Sequence, residues 1–313
     1  MTTAWIMLVA IGLDALLSWP SRIYVRIGHP VTWLGALITA LERRLNHGGL
    51  RRAKGVVMML IVVTLATLVA SAVQVGIAHF VSNSAQSYLL LGVVAWPFIA
   101  TRSMYDHVRA VLVPLKSGDI AAARFAVSMI VGRDPSALDD AGVSRAAIES
   151  LAENTSDGIV APVFWGLVAG LPGIVAYKAI NTLDSMIGHR SERYEAFGWA
   201  SARIDDLVNL VPARITGMLF AVVSPSPLRS MRAMFRDARH HRSPNAGWPE
   251  AAMAGALNIR LSGPRVYDGQ LSQERWVNGG GQDPRADDIA RGLRLYLRAM
   301  GLMTVLVACL VEV

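Results

Sequence analysis

The sequence predicts an all-α, polytopic integral membrane protein with re-entrant or short helices and helical inserts on the cytoplasmic side. Three observations carry this. Hydrophobic residues make up 53% of the 313 and charged residues only 17%, with a mean hydropathy of +0.40; soluble domains carry about 25% charged residues. The uncharged residues are gathered in blocks long enough to cross a bilayer. Arginines sit beside those blocks, as in the loops that flank membrane spans. The net charge of +7 therefore reads as a membrane signature, and no helix-turn-helix, zinc-finger or RNA-recognition pattern argues for nucleic acid. The only cysteine, Cys309, can form neither an internal disulfide nor a cysteine-rich zinc site.

The first span is expected over about 5–19, apolar except for Asp14, with Trp5 and Trp19 as interfacial anchors and Arg22 and Arg26 behind it. From Gly55 to Thr101, 47 consecutive residues lack Asp, Glu, Lys and Arg. Two spans, about 56–80 and 88–101, joined by the polar Ser82–Ser87 stretch, fit that length. Residues 102–157 read as a cytoplasmic helical insert, with helix starts at Gly118-Asp119 and at Asp134-Pro135, a cap followed by a first-turn proline. Segment 158–177 is divided by Gly170-Leu171-Pro172-Gly173 and, like 207–223, fits a re-entrant hairpin or a full span. Residues 224–292 form a second insert, and 295–311 a last span with Arg298 snorkelling. The whole reads as a single membrane domain, and nothing restricts it to a monomer.

Three clusters carry candidate chemistry. Glu149, Glu153 and Asp157 recur every four residues, so a continuing helix places them on one face. Like charges so placed suit Mg²⁺ or a basic partner; a solvated helix face is the plain alternative. Asn154 lies beside them. Lys178, Asn181, Thr182 and Ser185 form a helical stripe of cation, amide and hydroxyls that suits a phosphate and its metal, with Asp184 as a further oxygen ligand. The plain alternative is a snorkelling lysine and a turn-capping asparagine. Asp205 and Asn209, one turn apart, can complete a metal site, or Asp205-Asp206 can merely cap a helix with Arg214 paired locally. His29, in the basic turn after Arg22 and Arg26, is a substrate-contact candidate. P-loop, dinucleotide, zincin and hydrolase-elbow motifs are absent.

The run from Glu149 to Thr216, with HPVTWLG at His29–Gly35, VGRD at Val131–Asp134 and SPNAGWPEAAMAGALNIRLSGP at Ser243–Pro264, resembles the CobD/CbiB family. The turn Leu17-Ser18-Trp19-Pro20 departs from the Gly-Asp-Pro-like turn expected there. The resemblance implies an inner-membrane, ATP-dependent acid–amine ligase of cobalamin biosynthesis. It would join the corrinoid adenosylcobyric acid to (R)-1-amino-2-propanol or its O-phosphate, through an acyl phosphate and with Mg²⁺.

On that reading Asp157, Lys178, Asp184, Asp205 and Asp206 are catalytic. Glu149, Glu153, Asn154, Asn181, Thr182 and Ser185 hold ATP, with Glu149, Glu153, Asp157 and Asp184 on the metal. Arg22, His29, Arg203, Asn209, Arg214, Asn245 and Trp248 contact substrate, and Trp165, Trp199 and Trp248 are candidate walls for the corrin. Cytoplasmic ATP implies that residues 178–206 face the cytoplasm. The rival readings are a Mg²⁺-dependent membrane prenyl- or alcohol-phosphotransferase and a non-enzymatic transporter or sensor.

Overall fold

The computed structural model describes residues 2–17, 19–132, 134–267, 270–272 and 274–312. Arg133 of the VGRD stretch and Ser18 of the Leu17–Pro20 turn lie outside them. The described chain is helical almost throughout: α1 (Thr2–Leu17), α2 (Ser21–Ile27), α3 (Pro30–Leu45), α4 (Arg51–Phe80), α5 (Ser84–Ala95), α6 (Thr101–Lys116), α7 (Ile120–Ser128), α8 (Asp140–Thr155), α9 (Ala161–Ile187), α10 (Trp199–Val208), α11 (Leu210–Val222), α12 (Pro227–Asp237), α13 (Gly247–Leu257) and α14 (Ala286–Cys309). Two short antiparallel ladders interrupt it: β1 (Leu261–Ser262) with β4 (Trp276–Val277), and β2 (Arg265–Tyr267) with β3 (Gln270–Ser272).

Four stretches are helical, long and apolar enough to cross a bilayer: Arg51–Phe80, Ser84–Lys116, Asp140–Ile187 and Ala286–Cys309. A bent pair, Thr3–Leu17 with Arg22–Leu45, makes a fifth if counted as one span. The segment read from sequence as a complete first span is thus a 16-residue helix, about 24 Å long, which qualifies only together with its partner. Leu210–Val222 is apolar but falls in the shorter class.

The contacts divide the chain into two compact units, Met1–Ala100 with Ala161–Asn209 and Leu306–Val313, and Thr101–Val160 with Leu210–Val305. Each unit is assembled from segments distant in sequence. No linker composition marks the division, which is why the sequence reads as one domain.

In the first unit, Ile38, Met58, Val62, Ala66, Ala179, Leu183, Ile187 and Phe197 form a buried core between α3, α4 and α9. Gly55 permits the close approach of α4: a Cβ there would lie 1.8 Å from the Phe197 carbonyl oxygen. α3 starts at a capping box in which His29 Nδ1 accepts from the Val31 amide (3.2 Å) and Thr32 Oγ1 accepts from the His29 amide (3.2 Å). α9 is broken at Ala169 and Gly170, at the start of the Gly-Leu-Pro-Gly divide read from sequence. Gly170 has φ +64°, and the buried Leu171 amide, left without a helical acceptor by the break, is satisfied by Gln74 Oε1 at 2.9 Å.

In the second unit, α7 begins where expected, with Asp119 Oδ1 accepting from the Ala122 amide (2.9 Å). Asp134-Pro135 does not start a helix. Asp134 instead closes a turn by accepting from the Ser136 amide (2.9 Å) and hydroxyl (2.8 Å), and α8 begins later, capped by Asp139 accepting from the Gly142 amide (2.7 Å). The short Asx-type turn satisfies the carboxylate locally and competes with helix initiation. α12 and α13 are joined by Ser230 Oγ donating to the Ala252 carbonyl (2.6 Å), and Arg229 caps the end of α13 through the carbonyls of Gly255 (2.7 Å) and Ala256 (3.2 Å).

Candidate functional site

The strongest concentration of buried polar groups in the first unit lies where α9 meets α10. Helical periodicity brings Lys178, Asn181 and Asp184 along α9, and α10 returns Asp205 and Asp206, with Asn209 as its C-cap. Asn209 is fully buried; its Nδ2 donates to Asp205 Oδ2 (3.0 Å) and its Oδ1 accepts from the Tyr177 hydroxyl (2.9 Å). The other carboxylate oxygen, Asp205 Oδ1, is buried with no hydrogen-bond partner among the described residues. Burial first, and then the Asp184 carboxylate, push the Asp205 carboxyl up to about 7, although the Asn209 and Asn181 amides favour its ionised form. Burial also raises Asp206, opposed by Arg203 and Arg190; Arg203 Nη1 reaches Asp206 Oδ2 at 3.3 Å.

This arrangement fits a divalent cation carried by phosphate. Two carboxylates in mutual repulsion, one with an orphaned buried oxygen, favour any positive species between them. No group of three or more His, Cys, Asp or Glu side chains is gathered for a metal among the described residues. Mg²⁺ does not require one, since it commonly takes one or two carboxylates and completes its shell with phosphate and water.

Other predicted members have local partners. Thr182 Oγ1 donates to the Lys178 carbonyl (2.6 Å) and Ser185 Oγ to the Asn181 carbonyl (2.8 Å). Their hydrogens are therefore directed into α9, and only lone pairs remain for a ligand. Lys178 Nζ stands 3.4 Å from Asn181 Oδ1.

The triad Glu149, Glu153 and Asp157 belongs to the second unit and does not behave as one face. Glu149 is buried and accepts from the Ser262 amide of β1 at 2.7 Å, whereas Glu153 is exposed. Asp157 lies beyond the end of α8 in a π-helical turn, Ser156–Val160, which breaks the spacing that a continuing α-helix would have kept. One oxygen of the Glu149 carboxylate, predicted as a metal and nucleotide ligand, thus ties α8 to a strand. Asn154 bonds back to Ser150, at 2.9 Å to the carbonyl and 3.1 Å to the hydroxyl.

The structure does assemble one predicted substrate group. Arg214 Nη1 donates to Asn245 Oδ1 (2.8 Å), and its guanidinium lies 4.6 Å from the centre of the Trp248 ring, a cation–π contact. Arg22 is exposed at the start of α2, and His29 is half-buried with Nδ1 engaged as a helix cap. The candidate corrin walls have other partners: Trp165 donates to the Val208 carbonyl (3.1 Å), and Trp199 lies under Arg52, 3.7 Å from its guanidinium.

Sequence reasoning missed Tyr177, an aromatic in an apolar run that reads as core. It also missed a buried network in the second unit. There Ser262 Oγ donates to Glu250 Oε2 (3.3 Å), with His241 Nε2 3.5 Å from Glu250 Oε1. The signal available was Glu250 in an otherwise apolar helix, because a carboxylate in such a setting requires partners.

Membrane-length helices and a buried acidic cluster define a multi-span, all-α membrane protein with a polar site between helices. The family described as "CobD/Cbib protein" matches residues 7–296. The chain is 62% identical over 308 residues to "Cobalamin biosynthesis protein CobD" of Rhodobacter capsulatus, covering 98% of this chain and 97% of that protein. It is 45% identical to the protein of that name from Sinorhizobium fredii (94% and 92% covered) and 44% identical to that of Rhizobium meliloti (96% and 94%). No solved structure matches the chain. The chain belongs to the CobD/CbiB family.

Proposed function

We propose that this protein acts in cobalamin biosynthesis as an ATP-dependent ligase, joining the free carboxyl of adenosylcobyric acid to (R)-1-amino-2-propanol or its O-phosphate. The family and its relatives' shared name support the pathway. The observation that carries the chemistry is the Asp184–Asp205 pair, with the orphaned oxygen of Asp205, beside Lys178 and Asn181.

A carboxylate is a poor acyl donor and must be activated. Transfer of the γ-phosphoryl group of ATP to a carboxylate oxygen gives an acyl phosphate and ADP. The neutral amine then attacks the carbonyl carbon, the bond to the phosphate oxygen breaks, and the amine nitrogen loses a proton. Positioning and charge neutralisation supply the catalysis in such a sequence. Asp184 and Asp205 hold the Mg²⁺ that accompanies the phosphates, and Lys178 neutralises the transferred group. Asp206, the more accessible neighbour, takes the amine proton. The nucleotide is cytoplasmic, so residues 178–206 face the cytoplasm.

The test is amide formation by purified protein in detergent, given adenosylcobyric acid, Mg-ATP and either amine and followed by mass spectrometry, with Asp184→Asn, Asp205→Asn and Asp157→Asn alongside. Amide product from the parent protein and its loss in well-folded Asp184→Asn and Asp205→Asn are expected. Absence of product with both amines overturns the reading. A cysteine at Ser191 labelled by an impermeant thiol reagent from the outer face alone would refute the orientation.

A further inference from the structure

α14 changes character along one exposed face. Arg291, Arg294 and Arg298 recur at helical spacing and are exposed, and Val305, on the same face, is 58% exposed. Seven residues separate Arg298 from Val305, about 10 Å along the axis. From Ala299 to the helix end at Cys309 no residue is charged. A face that stays exposed while turning from arginine to aliphatic within two turns marks the boundary between lipid headgroups and hydrocarbon.

The three arginines line a cavity of about 130 Å³ with Pro225, Leu257 and Leu295. That is well below the roughly 300–1,000 Å³ of small-molecule sites, and the size of a headgroup. Its charge is incompletely balanced. Arg291 is held by Asp288 at 2.6 Å, and Asp287, a carboxylate that feels the charge of Arg294, is bound by Lys116 at 2.7 Å. The Arg298 guanidinium has no hydrogen bond or ion pair among the described residues. Guanidinium groups converging on a small apolar-floored cavity suit a phosphate oxygen fork.

A second feature of the same unit agrees. α12, which starts just after Pro225, exposes Leu228 (70%) and Phe235 (58%) one heptad apart, alongside the exposed Arg232 and Arg236. This pairing of bulky apolar residues with arginine is that of a helix lying in a membrane interface.

We infer that Arg291, Arg294 and Arg298 form a binding site for the phosphate of an anionic membrane phospholipid. The source is lipid rather than a soluble phosphate because the arginine face runs directly into the exposed Val305 face of a membrane-length helix.

The test compares the protein and an Arg294→Gln/Arg298→Gln double variant in nanodiscs of mixed phosphatidylglycerol and phosphatidylcholine, with retained lipids counted by native mass spectrometry. An Arg294→Lys/Arg298→Lys variant keeps the charge, and circular dichroism with the thermal midpoint reports folding. The expected result is selective retention of phosphatidylglycerol, weakened about fivefold for each arginine removed and largely preserved by lysine. Equal retention of both lipids, or undiminished retention by the folded glutamine variant, overturns the inference. Displacement of the bound lipid by millimolar inorganic phosphate or pyrophosphate assigns the site to a soluble phosphate and overturns it equally.

Discussion

Asn209 donates to Asp205 at 3.0 Å while accepting from Tyr177 at 2.9 Å, so a single buried amide fixes an acidic side chain of α10 to an aromatic of α9. Asn209→Leu leaves the Tyr177 hydroxyl and Asp205 Oδ2 without that partner. A loss of about 1–3 kcal/mol for each unsatisfied group is expected, read as a lower thermal midpoint in detergent. Ligase turnover should fall with it, because the Asp205 carboxylate loses its orientation.

Asp205 gives stability a defined pH dependence in the absence of metal. Its carboxyl stays protonated up to about 7 in the folded protein, against an ordinary 3.8. Between those values the folded state binds more protons than the unfolded one, so stability falls as pH rises through this window. Thermal midpoints measured from pH 4 to 8 should show the decline, Asp205→Asn should flatten it, and Mg²⁺ with ATP should oppose it at the neutral end.

Glu149 and Asp184 should separate by phenotype. Glu149→Ala removes a charge-assisted bond to the Ser262 amide and should cost about 1.5–3 kcal/mol, leaving the Mg²⁺ concentration for half-maximal turnover unchanged. Asp184→Asn should raise that Mg²⁺ requirement with a smaller loss of stability. A Mg²⁺ titration of both variants decides; a raised requirement in Glu149→Ala would place that residue on the metal.

The break in α9 depends on Gly170. With φ +64° and ψ −148°, a region essentially restricted to glycine, and a Cβ position 2.6 Å from Gln74 Oε1, Gly170→Ala should destabilise the protein by about 1–3 kcal/mol from backbone strain alone. Gln74→Leu removes the acceptor of the Leu171 amide and should cost about as much. Unchanged midpoints in both variants would show that the break has no need of this contact.

Much of the architecture was legible because hydropathy and helix punctuation are local. The uncharged run from Gly55, the Asp119 cap and the Gly-Leu-Pro-Gly break could each be read within a window of neighbouring residues. Asp134-Pro135 shows where local reading fails: two cap-like residues can equally close a turn, and only the hydrogen bonds to Ser136 decide. The central motifs, through their likeness to a known family, named candidate residues without showing which of them meet.

The sequence by itself determined that this is a helical membrane protein of one family, with its acidic residues beside apolar segments. The tertiary structure decided how those acids are used. Glu149 meets a backbone amide 113 residues away, Asn209 meets a tyrosine 32 residues away, and the charge of Asp184 acts on Asp205. The physical reason is that burial and hydrogen-bond partners depend on how the chain returns upon itself. A periodic pattern specifies the face of a helix and leaves open what that face will touch.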